Sequence, residues 1–311
     1  MKNPRVIFAG TPEFALASLS ALVDSGIEPV AVLTQPDRPA GRGKRMTASP
    51  VKRYAETEGI AVMQPPTLRG ADVASELRAL KPDLMIVAAY GLILPQEILD
   101  IPKRGCLNVH ASVLPRWRGA APIQAAILTG DASTGISLMS MTAGLDCGPV
   151  YVTEQVSIGV DETAGELHDR LAKLGGKTLV ANLDDILEKK IAAVPQDESL
   201  ASYAGKIDKA DARLNWTGNA IELERRVRAY NPVPGAFFIA HDALRIKCWR
   251  ARSIAEIDAT PGTVVNSGRD GVVVACGSGG LSLQELQLPG RRRVDAREFA
   301  NQLDLVGHVL R

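Results

Sequence analysis

The chain has 311 residues, and 46% of them are hydrophobic. It contains four cysteines and has a formal net charge of only +1 at pH 7. A chain of this length is too long for one ordinary core, so we expect two domains. No apolar run reaches the roughly 18 residues of a membrane helix, the scattered cysteines fit neither a disulfide framework nor a zinc site, and the charge excludes an overall polycation.

The first half of the sequence alternates short apolar runs with amphipathic segments. The runs predict strands at 6–9, 30–33, 61–63, 84–89 and 107–110, and the segments predict helices at 12–25, 51–58 and 73–80. Repeated strand–helix units of this length predict a Rossmann-like, doubly wound, mostly parallel α/β sheet with helices on both faces. Because the first apolar run is too short for a signal peptide, we expect a cytoplasmic protein.

The pattern changes after Gly119. Strands are predicted at 136–141 and 150–153, and a capping box at 163–166 predicts a helix that reaches about Lys190. Residues 191–208 lack clear periodicity and are interpreted as a linker. From residue 209 onward, one helix and five short strands with Gly-rich turns predict a small C-terminal β-barrel of the OB-like type.

Two polar residues interrupt the apolar run that ends at residue 110. Asn108 and His110 are two positions apart, so a strand puts both side chains on one face. A turn-like stretch follows at 115–119, and polar groups at the end of an apolar strand are where an open α/β sheet places its ligand crevice. Asp146 follows in a Gly-rich loop. An amide, an imidazole and a carboxylate together suit the transfer of an acyl group to an amine.

The three side chains have distinct possible roles in such a transfer. Negative charge grows on the carbonyl oxygen of the tetrahedral intermediate, and an amide donor such as Asn108 is worth about 3 kcal/mol there. His110 can exchange the proton of the amine, and Asp146 can orient the imidazole and favour its charged form. Either His110 or Asp146 can take the proton. Direct attack needs no covalent intermediate, so we expect no thiol mechanism through Cys106 or Cys147.

The same residues carry a resemblance to a known family. Asn-x-His at 108–110, Ser-x-Leu-Pro at 112–115 and the later Asp146 resemble the formyltransferases that use 10-formyltetrahydrofolate. The segments 8–15, 35–44 and 230–236 are similar to the branch of that family that formylates methionyl-tRNA, so the resemblance covers nearly the whole chain. Val113 departs from the Ser-Leu-Leu-Pro of the family by one small apolar change.

The resemblance implies a co-substrate and the residues that hold it. It implies that Asn108, His110 and Asp146 form the active site and that 10-formyltetrahydrofolate supplies the formyl group. No metal is expected, because Asn108 and His110 can supply the electrophilic help. The flat pterin requires apolar walls with a few fixed polar groups. The residues expected at this pocket are Ser112, Val113, Leu114, Pro115, Ile86, Ala88, Tyr90, Gly91 and Leu92. For most of the last five, simple core packing is an equal alternative.

Basic residues concentrate in two places. The loop at 36–53 has six Lys or Arg against one Asp, and residues 206–311 have 16 Lys or Arg against 12 Asp or Glu. Prolines and glycines predict no regular element in the loop before residue 50. A basic loop beside a sheet crevice can grip RNA phosphates, and the resemblance implies that this loop meets the acceptor arm of initiator methionyl-tRNA. The expected RNA contacts are Arg38, Arg42, Lys44, Arg45, Arg291, Arg292 and Arg293. For the last three, a role in capping a surface turn is an equal alternative to RNA contact.

These observations lead to one hypothesis and two alternatives. We expect a monomeric enzyme in which residues 1–190 transfer the formyl group to the methionine α-amine of initiator tRNA, in support of translation initiation, while the domain at 209–311 helps to hold the RNA. A folate-dependent formyltransferase acting on an amino sugar nucleotide or on glycinamide ribonucleotide would share the three catalytic residues but needs the basic loop less. The other alternative is an RNA-binding module whose sheet domain is inactive.

Overall fold

The computed structural model describes residues 4–40, 43, 45–255, 257–268 and 271–310. The chain forms two compact units, each with its own sheet. The first unit contains the residues up to Pro122 together with 134–156 and 168–204. The second unit contains 123–133, 157–167 and the chain from Gly205 onward.

The strands of the first unit form one seven-stranded sheet and two small ribbons. In chain order they are β1 (Val6–Gly10), β2 (Ala31–Leu33), β3 (Arg38–Ala40), β4 (Arg45–Thr47), β5 (Val62–Met63), β6 (Leu84–Ala88), β7 (Cys106–His110), β8 (Arg118–Gly119), β9 (Ser133–Ser140), β10 (Val150–Ser157) and β11 (Tyr203–Ala204). The large sheet has the order β10-β9-β7-β6-β1-β2-β5. Strands β5, β2, β1, β6 and β7 pair in parallel, and β7 pairs antiparallel with β9. The predicted Rossmann-like, mostly parallel sheet is therefore confirmed.

Helices alternate with these strands, and further helices belong to the second unit. They are α1 (Glu13–Asp24), α2 (Pro50–Thr57), α3 (Ala71–Ala79), α4 (Gln96–Leu99), α5 (Pro122–Thr129), α6 (Ala164–Leu187), α7 (Ala220–Ala229) and α8 (Ala296–Gln302). The capping box predicted before α6 is confirmed, because the Glu166 amide donates to Thr163 Oγ1 at 3.3 Å and the Thr163 amide donates to Glu166 Oε2 at 2.9 Å. In the described part of the chain, no helix has the length and apolar character needed to cross a membrane.

The burial of the central strands explains why they pair in parallel. Every residue of β1, β6 and β7 is buried, which is typical of strands covered on both faces. Gly10 is opposite Ala88, and Val87 is opposite Asn108. The carboxyl ends of β1, β6 and β7 therefore meet at one edge of the sheet, which is where the predicted catalytic pair ends its strand.

The second unit contains an antiparallel sheet. Its strands are β12 (Phe237–Ile239), β13 (Arg245–Ile254), β14 (Val264–Gly268), β15 (Gly271–Ala275), β16 (Gly280–Gln287) and β17 (Val294–Asp295). They follow the order β12-β13-β16-β15-β14, with β17 beside β16. Phe238, Val227 on α7 and Phe299 on α8 are fully buried in its core. The sequence predicts a small β-barrel here, and the structure confirms a separate, β-rich C-terminal domain, whose sheet is antiparallel.

One local prediction was wrong. The segment before residue 50 was expected to hold no regular element, but β3 and β4 pair antiparallel, with Arg38 opposite Thr47 and Ala40 opposite Arg45. A two-stranded ribbon leaves one edge of each strand unpaired, so Pro39 can lie in it without removing a hydrogen bond from a larger sheet. The prolines and glycines of this segment shorten the strands but do not prevent pairing.

Two consecutive glycines allow α6 to approach the sheet and α1. A Cβ added to Gly175 would lie 3.0 Å from Cγ1 of Val109, and one added to Gly176 would lie 2.7 Å from the carbonyl oxygen of Ala17. Val109 separates Asn108 from His110 on β7. The close packing of α6 therefore supports the strand that carries the polar pair.

We expect Gly176→Ala to destabilise the protein. Alanine gains about 1 kcal/mol in helix propensity, but its Cβ would press on the backbone of α1, and overpacking costs about 1–3 kcal/mol. The melting temperature, measured by calorimetry, should fall by about 2–6 °C. Gly205→Ala is the control, because a Cβ there meets no atom within 4 Å. An unchanged or higher melting temperature for Gly176→Ala would contradict the packing described here.

Candidate active site

Strand β7 ends with the two polar side chains that the sequence singles out. Asn108 and His110 are buried, with 8% and 6% of their surface exposed. Met139 and Ser137 of β9 are their cross-strand neighbours. Buried polar groups require hydrogen-bond partners, and both find them in the loops beside the sheet edge.

Asp146 joins this pair from the loop between β9 and β10. Its Oδ1 accepts a hydrogen bond from Nδ2 of Asn108 at 3.4 Å, and its Oδ2 accepts one from the Gly119 amide at 2.8 Å. Oδ2 also lies 3.8 Å from Nδ1 of His110. The structure therefore brings the three predicted catalytic side chains together at the carboxyl end of β7.

The second nitrogen of His110 is occupied by the backbone. Nε2 lies 3.0 Å from the carbonyl oxygen of Trp117. Because a carbonyl oxygen only accepts hydrogen bonds, Nε2 must carry the proton in this contact. The turn at 115–119 thereby orients the imidazole so that its other nitrogen, Nδ1, faces Asp146.

Backbone conformation at this turn depends on a glycine. Gly119 has φ of 115°, and an added Cβ would lie 2.5 Å from the carbonyl oxygen of Ala204. Trp117 and Asp146 adopt left-handed conformations, with φ of 62° and 47°. A left-handed conformation is strained for any residue other than glycine and persists only where surrounding contacts hold it. The contacts of Asp146 described above are of that kind.

Three residues around the site were missed by the sequence analysis. Arg118 lies in the stretch interpreted only as a turn, and Gln196 and Glu198 lie in the predicted linker. Arg118 is 1% exposed, and its guanidinium donates to both Gln196 and Glu198. Arg118 itself was a possible signal, but its two partners are 78 and 80 residues away and have no periodic pattern.

The predicted folate segment 112–115 continues directly from β7. Ser112 is fully buried and donates through Oγ to the carbonyl oxygen of Arg116 at 2.6 Å. The Leu114 amide donates to Ser137 Oγ at 3.1 Å, and the Leu114–Pro115 peptide is cis. Leu114 is buried, whereas Val113 and Pro115 are half-buried and border solvent. Leu114 and Pro115 line a cavity of about 300 Å³.

The other predicted folate residues follow or belong to β6. The side chains of Ile86 and Ala88 are fully buried in the sheet, and that of Tyr90, just after β6, is buried in the core with 2% of its surface exposed. Burial raises the pKa of Tyr90 to about 12, and its hydroxyl has no hydrogen-bond partner among the described residues. Gly91, with φ of 82°, is exposed and Leu92 is half-buried. Only these two offer an accessible surface, and contact of all five with folate stays a prediction.

The predicted RNA contacts divide between the two units. Arg38 and Arg45 are exposed on the β3–β4 ribbon, whereas Arg42 and Lys44 lie outside the described residues. Arg291, Arg292 and Arg293 are exposed before β17. Arg292 forms two hydrogen bonds with Glu298, and the guanidinium of Arg293 stacks 3.6 Å from the ring centre of Trp249. Their contact with RNA stays a prediction.

Cys106 at the start of β7 is an ordinary buried thiol. Burial raises its pKa to about 12, so it is protonated at neutral pH, and its Sγ lies 3.9 Å from the carbonyl oxygen of Leu99. A protonated thiol is a weak nucleophile. Among the residues that the structure describes, no group of three or more His, Cys, Asp or Glu side chains is placed to hold a metal ion.

Comparison with known families matches both parts of the chain. The "Formyl transferase" family model matches residues 4–183, and the model "Formyl transferase, C-terminal domain" matches residues 206–304. The fold is also similar to that of an N-formyltransferase from Helicobacter canadensis crystallised with folinic acid and dTDP-3-aminofucose. That comparison has a TM-score of 0.67 at 17% identity and covers 90% of this chain and 99% of the other.

Curated relatives of about 50% identity show which branch of the family the chain belongs to. The methionyl-tRNA formyltransferase of Pseudomonas syringae pv. tomato is 51% identical over 299 residues, covering 96% of this chain and 94% of its own. The methionyl-tRNA formyltransferase of Ralstonia pickettii is 50% identical over 311 residues, covering 96% and 95%. The chain that holds Asn108, His110 and Asp146 in this arrangement belongs to the methionyl-tRNA formyltransferase family.

Proposed function

We propose that this protein transfers the formyl group of 10-formyltetrahydrofolate to the α-amine of methionyl-initiator tRNA, in support of translation initiation. The observation that carries the proposal is the meeting of Asn108, His110 and Asp146 at one edge of the sheet, in a member of this family. The reaction breaks the bond between the formyl carbon and the folate nitrogen and forms an amide with the methionine nitrogen. The attacking amine loses a proton and the departing folate nitrogen gains one, so the chain must stabilise an oxyanion and pass a proton between the two nitrogens.

Asn108 is the proposed electrophilic residue. Its amide already donates toward Asp146 at 3.4 Å, a long and weak hydrogen bond. A second N–H of the same amide group is available for the formyl oxygen, because a carboxamide has two donors. A fixed donor at a developing oxyanion is worth about 3 kcal/mol in the transition state.

His110 is the proposed acceptor of the amine proton. With Nε2 donating to Trp117, Nδ1 is the nitrogen that can accept a proton, and it faces Oδ2 of Asp146 at 3.8 Å. Once Nδ1 carries the proton, the carboxylate on that side can accept its N–H and balances the positive charge that the ring gains. This assigns the proton to His110 and a supporting role to Asp146.

Folate is the proposed co-substrate, held beside these residues. Val87 of β6 pairs with Asn108 of β7, so the loop that follows β6 begins next to the catalytic strand. The exposed backbone of Gly91 and Leu92 and the turn at 112–115 supply the combination of polar backbone groups and apolar walls that a pterin requires. Ile86, Ala88 and Tyr90 act by shaping this edge from the core.

The acceptor is proposed to be RNA because cations are displayed on both units. In the first unit Arg38 and Arg45 project from an exposed ribbon. In the second unit a basic cleft of about 430 Å³ is lined by Lys209, Arg245 and Lys247, and none of the side chains that line it is acidic. Clustered cations without acidic partners are typical of surfaces that bind nucleic-acid phosphates.

Lys247 lies in the basic cleft, and its amine donates to the carbonyl oxygen of Pro234 at 3.3 Å. Burial, and then the charges of Arg245 and Arg293, lower the pKa of its amine. Arg245 stacks 3.6 Å from the ring centre of Phe237, and Lys247 lies 4.9 Å from that of Trp249. A phosphate in the basic cleft would relieve the mutual repulsion of these cations.

The proposal also covers the division of the chain and its location. We propose that residues 1–190 carry the chemistry and that 209–311 hold tRNA through the basic cleft and the cluster at 291–293. The predicted linker 191–208 joins them, and its residues up to Ala204 pack in the first unit. We further propose a monomer in the cytoplasm, where initiator tRNA is used.

We expect Asn108→Ala to lower kcat by about 100- to 1000-fold with little change in KM, because the lost donor acts in the transition state. The assay follows labelled formyl from 10-formyltetrahydrofolate to charged initiator tRNA. The double variant with His110→Ala should have no measurable turnover. Turnover that survives in the double variant would place the chemistry elsewhere, and label on a small amine but not on RNA would favour a different acceptor.

Replacing Arg38 and Arg45 together by alanine should raise KM for methionyl-tRNA about tenfold, because two phosphate contacts are lost. Folate binding, measured by fluorescence titration, should not change. Arg78→Ala is the matched control, since Arg78 pairs with Glu97 on the surface of the same unit. Equal losses in both affinities would contradict this division of labour.

Lys247→Ala should weaken tRNA binding and reduce the slope of log K against log salt by about 1. Filter binding at several salt concentrations measures this slope. Arg297→Ala removes an exposed cation from α8 and serves as the control. A slope equal to that of the unchanged protein would show that no phosphate occupies the basic cleft.

A further inference from the structure

Arg118 carries a charge that the first unit encloses almost completely. Its side chain is 1% exposed, and its Nη1 and Nη2 donate to the two carboxylate oxygens of Glu198 at 2.8 Å each. Its Nε and Nη2 also donate to Oε1 of Gln196, at 3.1 and 2.9 Å. A buried guanidinium is tolerated only when it is paired and hydrogen-bonded in this way. The segment at 196–198 is therefore fixed to the turn that contains Arg118.

The same glutamine reaches the loop of Asp146. Nε2 of Gln196 donates to the carbonyl oxygen of Asp146 at 2.9 Å and to that of Gly148 at 2.7 Å. One end of the amide thus accepts from Arg118, and the other end holds the backbone on both sides of Cys147. Asp146 has a left-handed φ of 47°, so its backbone depends on such contacts.

Residues 202–204 hold the other loop of the site. The carbonyl oxygen of Ser202 accepts from the Arg118 amide at 2.9 Å, and that of Ala204 accepts from the Ala120 amide at 2.9 Å. Ser202 Oγ accepts from the Trp117 amide at 3.1 Å. Gly119, between these bonds, donates to Asp146, and the Trp117 carbonyl faces His110.

We infer that residues 196–204 form a positioning clamp that holds Asp146 against His110 and Asn108, with Gln196 and Arg118 as positioning residues for the transfer. The inference rests on the proposed function. The hydrogen bonds described above join the clamp to the backbone of both catalytic loops. It gives a segment without periodic sequence a role in the geometry of the reaction.

The geometry of the triad makes it sensitive to the clamp. Asp146 lies 3.4 Å from the Asn108 amide and 3.8 Å from His110 Nδ1, both at the long end of useful contact. A shift of the Asp146 backbone by about 1 Å would break one contact or the other, and misplacements of that size cost about 100-fold in rate.

Two substitutions of Gln196 distinguish its contact with the Asp146 loop from its contact with the Arg118 guanidinium. Gln196→Glu keeps an acceptor for the guanidinium but replaces the N–H donors with an oxygen that repels the carbonyls of Asp146 and Gly148. Gln196→Ala removes both functions. Gln196 is half-buried, so both variants are expected to fold. Ser199→Ala, in the same segment, is the matched control, because its Oγ donates to Asp197 Oδ1 and not to Arg118 or to either catalytic loop in the hydrogen bonds of the described residues.

The test measures kcat and KM for both substrates, the pH profile of kcat and the melting temperature of each variant. If the clamp positions Asp146, Gln196→Glu and Gln196→Ala both lose about 10- to 100-fold in kcat, KM values change less than about threefold, and the pH profile shifts. Gln196→Glu should keep the melting temperature of the unchanged protein, and Ser199→Ala should keep its kcat.

Three results would overturn or redirect the inference. Full kcat in Gln196→Glu would show that Gln196 only satisfies Arg118. A loss of activity that tracks the melting temperature, with an unchanged pH profile, would show a structural role alone. Absence of formyl transfer in the unchanged protein would refute the proposed function instead, which separates the two failures.

Discussion

The hydrogen bond from the Gly119 amide to Oδ2 of Asp146, 2.8 Å long, is the contact on which the proposed chemistry depends. It fixes the oxygen that faces His110, while the other oxygen accepts from Asn108. Only glycine fits at position 119, because its φ is 115° and an added Cβ would meet the Ala204 carbonyl. The position of the carboxylate is therefore a property of two loops and of the segment that holds them, and not of Asp146 alone.

This arrangement separates chemistry from recognition. In the proposed function, the carboxyl edge of the parallel sheet supplies a preorganised donor and a proton acceptor to the reacting amine. In the same proposal, the cations on the ribbon and in the basic cleft bind the phosphates of the acceptor. Binding energy from parts of a substrate that do not react can orient the part that does. An acceptor as large as tRNA suits such a division.

The sequence predicts most of the sheet because buried parallel strands are short apolar runs. It also singles out Asn108 and His110, because two polar residues with a spacing of two stand out at the end of such a run. Asp146 was singled out by its Gly-rich loop and by the family resemblance, and not by periodicity. The sequence does not predict the roles of Arg118, Gln196 and Glu198. Their hydrogen bonds join residues 78 and 80 positions apart, and no local pattern records such contacts. Tyr90 shows a different limit, since it was one of five residues for most of which folate contact and core packing were equal alternatives, and the structure packs its ring in the core.

A crystal structure with a bound folate that carries a formyl group tests the central claim most directly. The account predicts that the formyl oxygen lies within hydrogen-bond distance of Nδ2 of Asn108, with the carbonyl carbon facing both His110 and Asp146. A formyl group bound away from these three side chains, with ordered density and the folate fully occupied, would contradict the account.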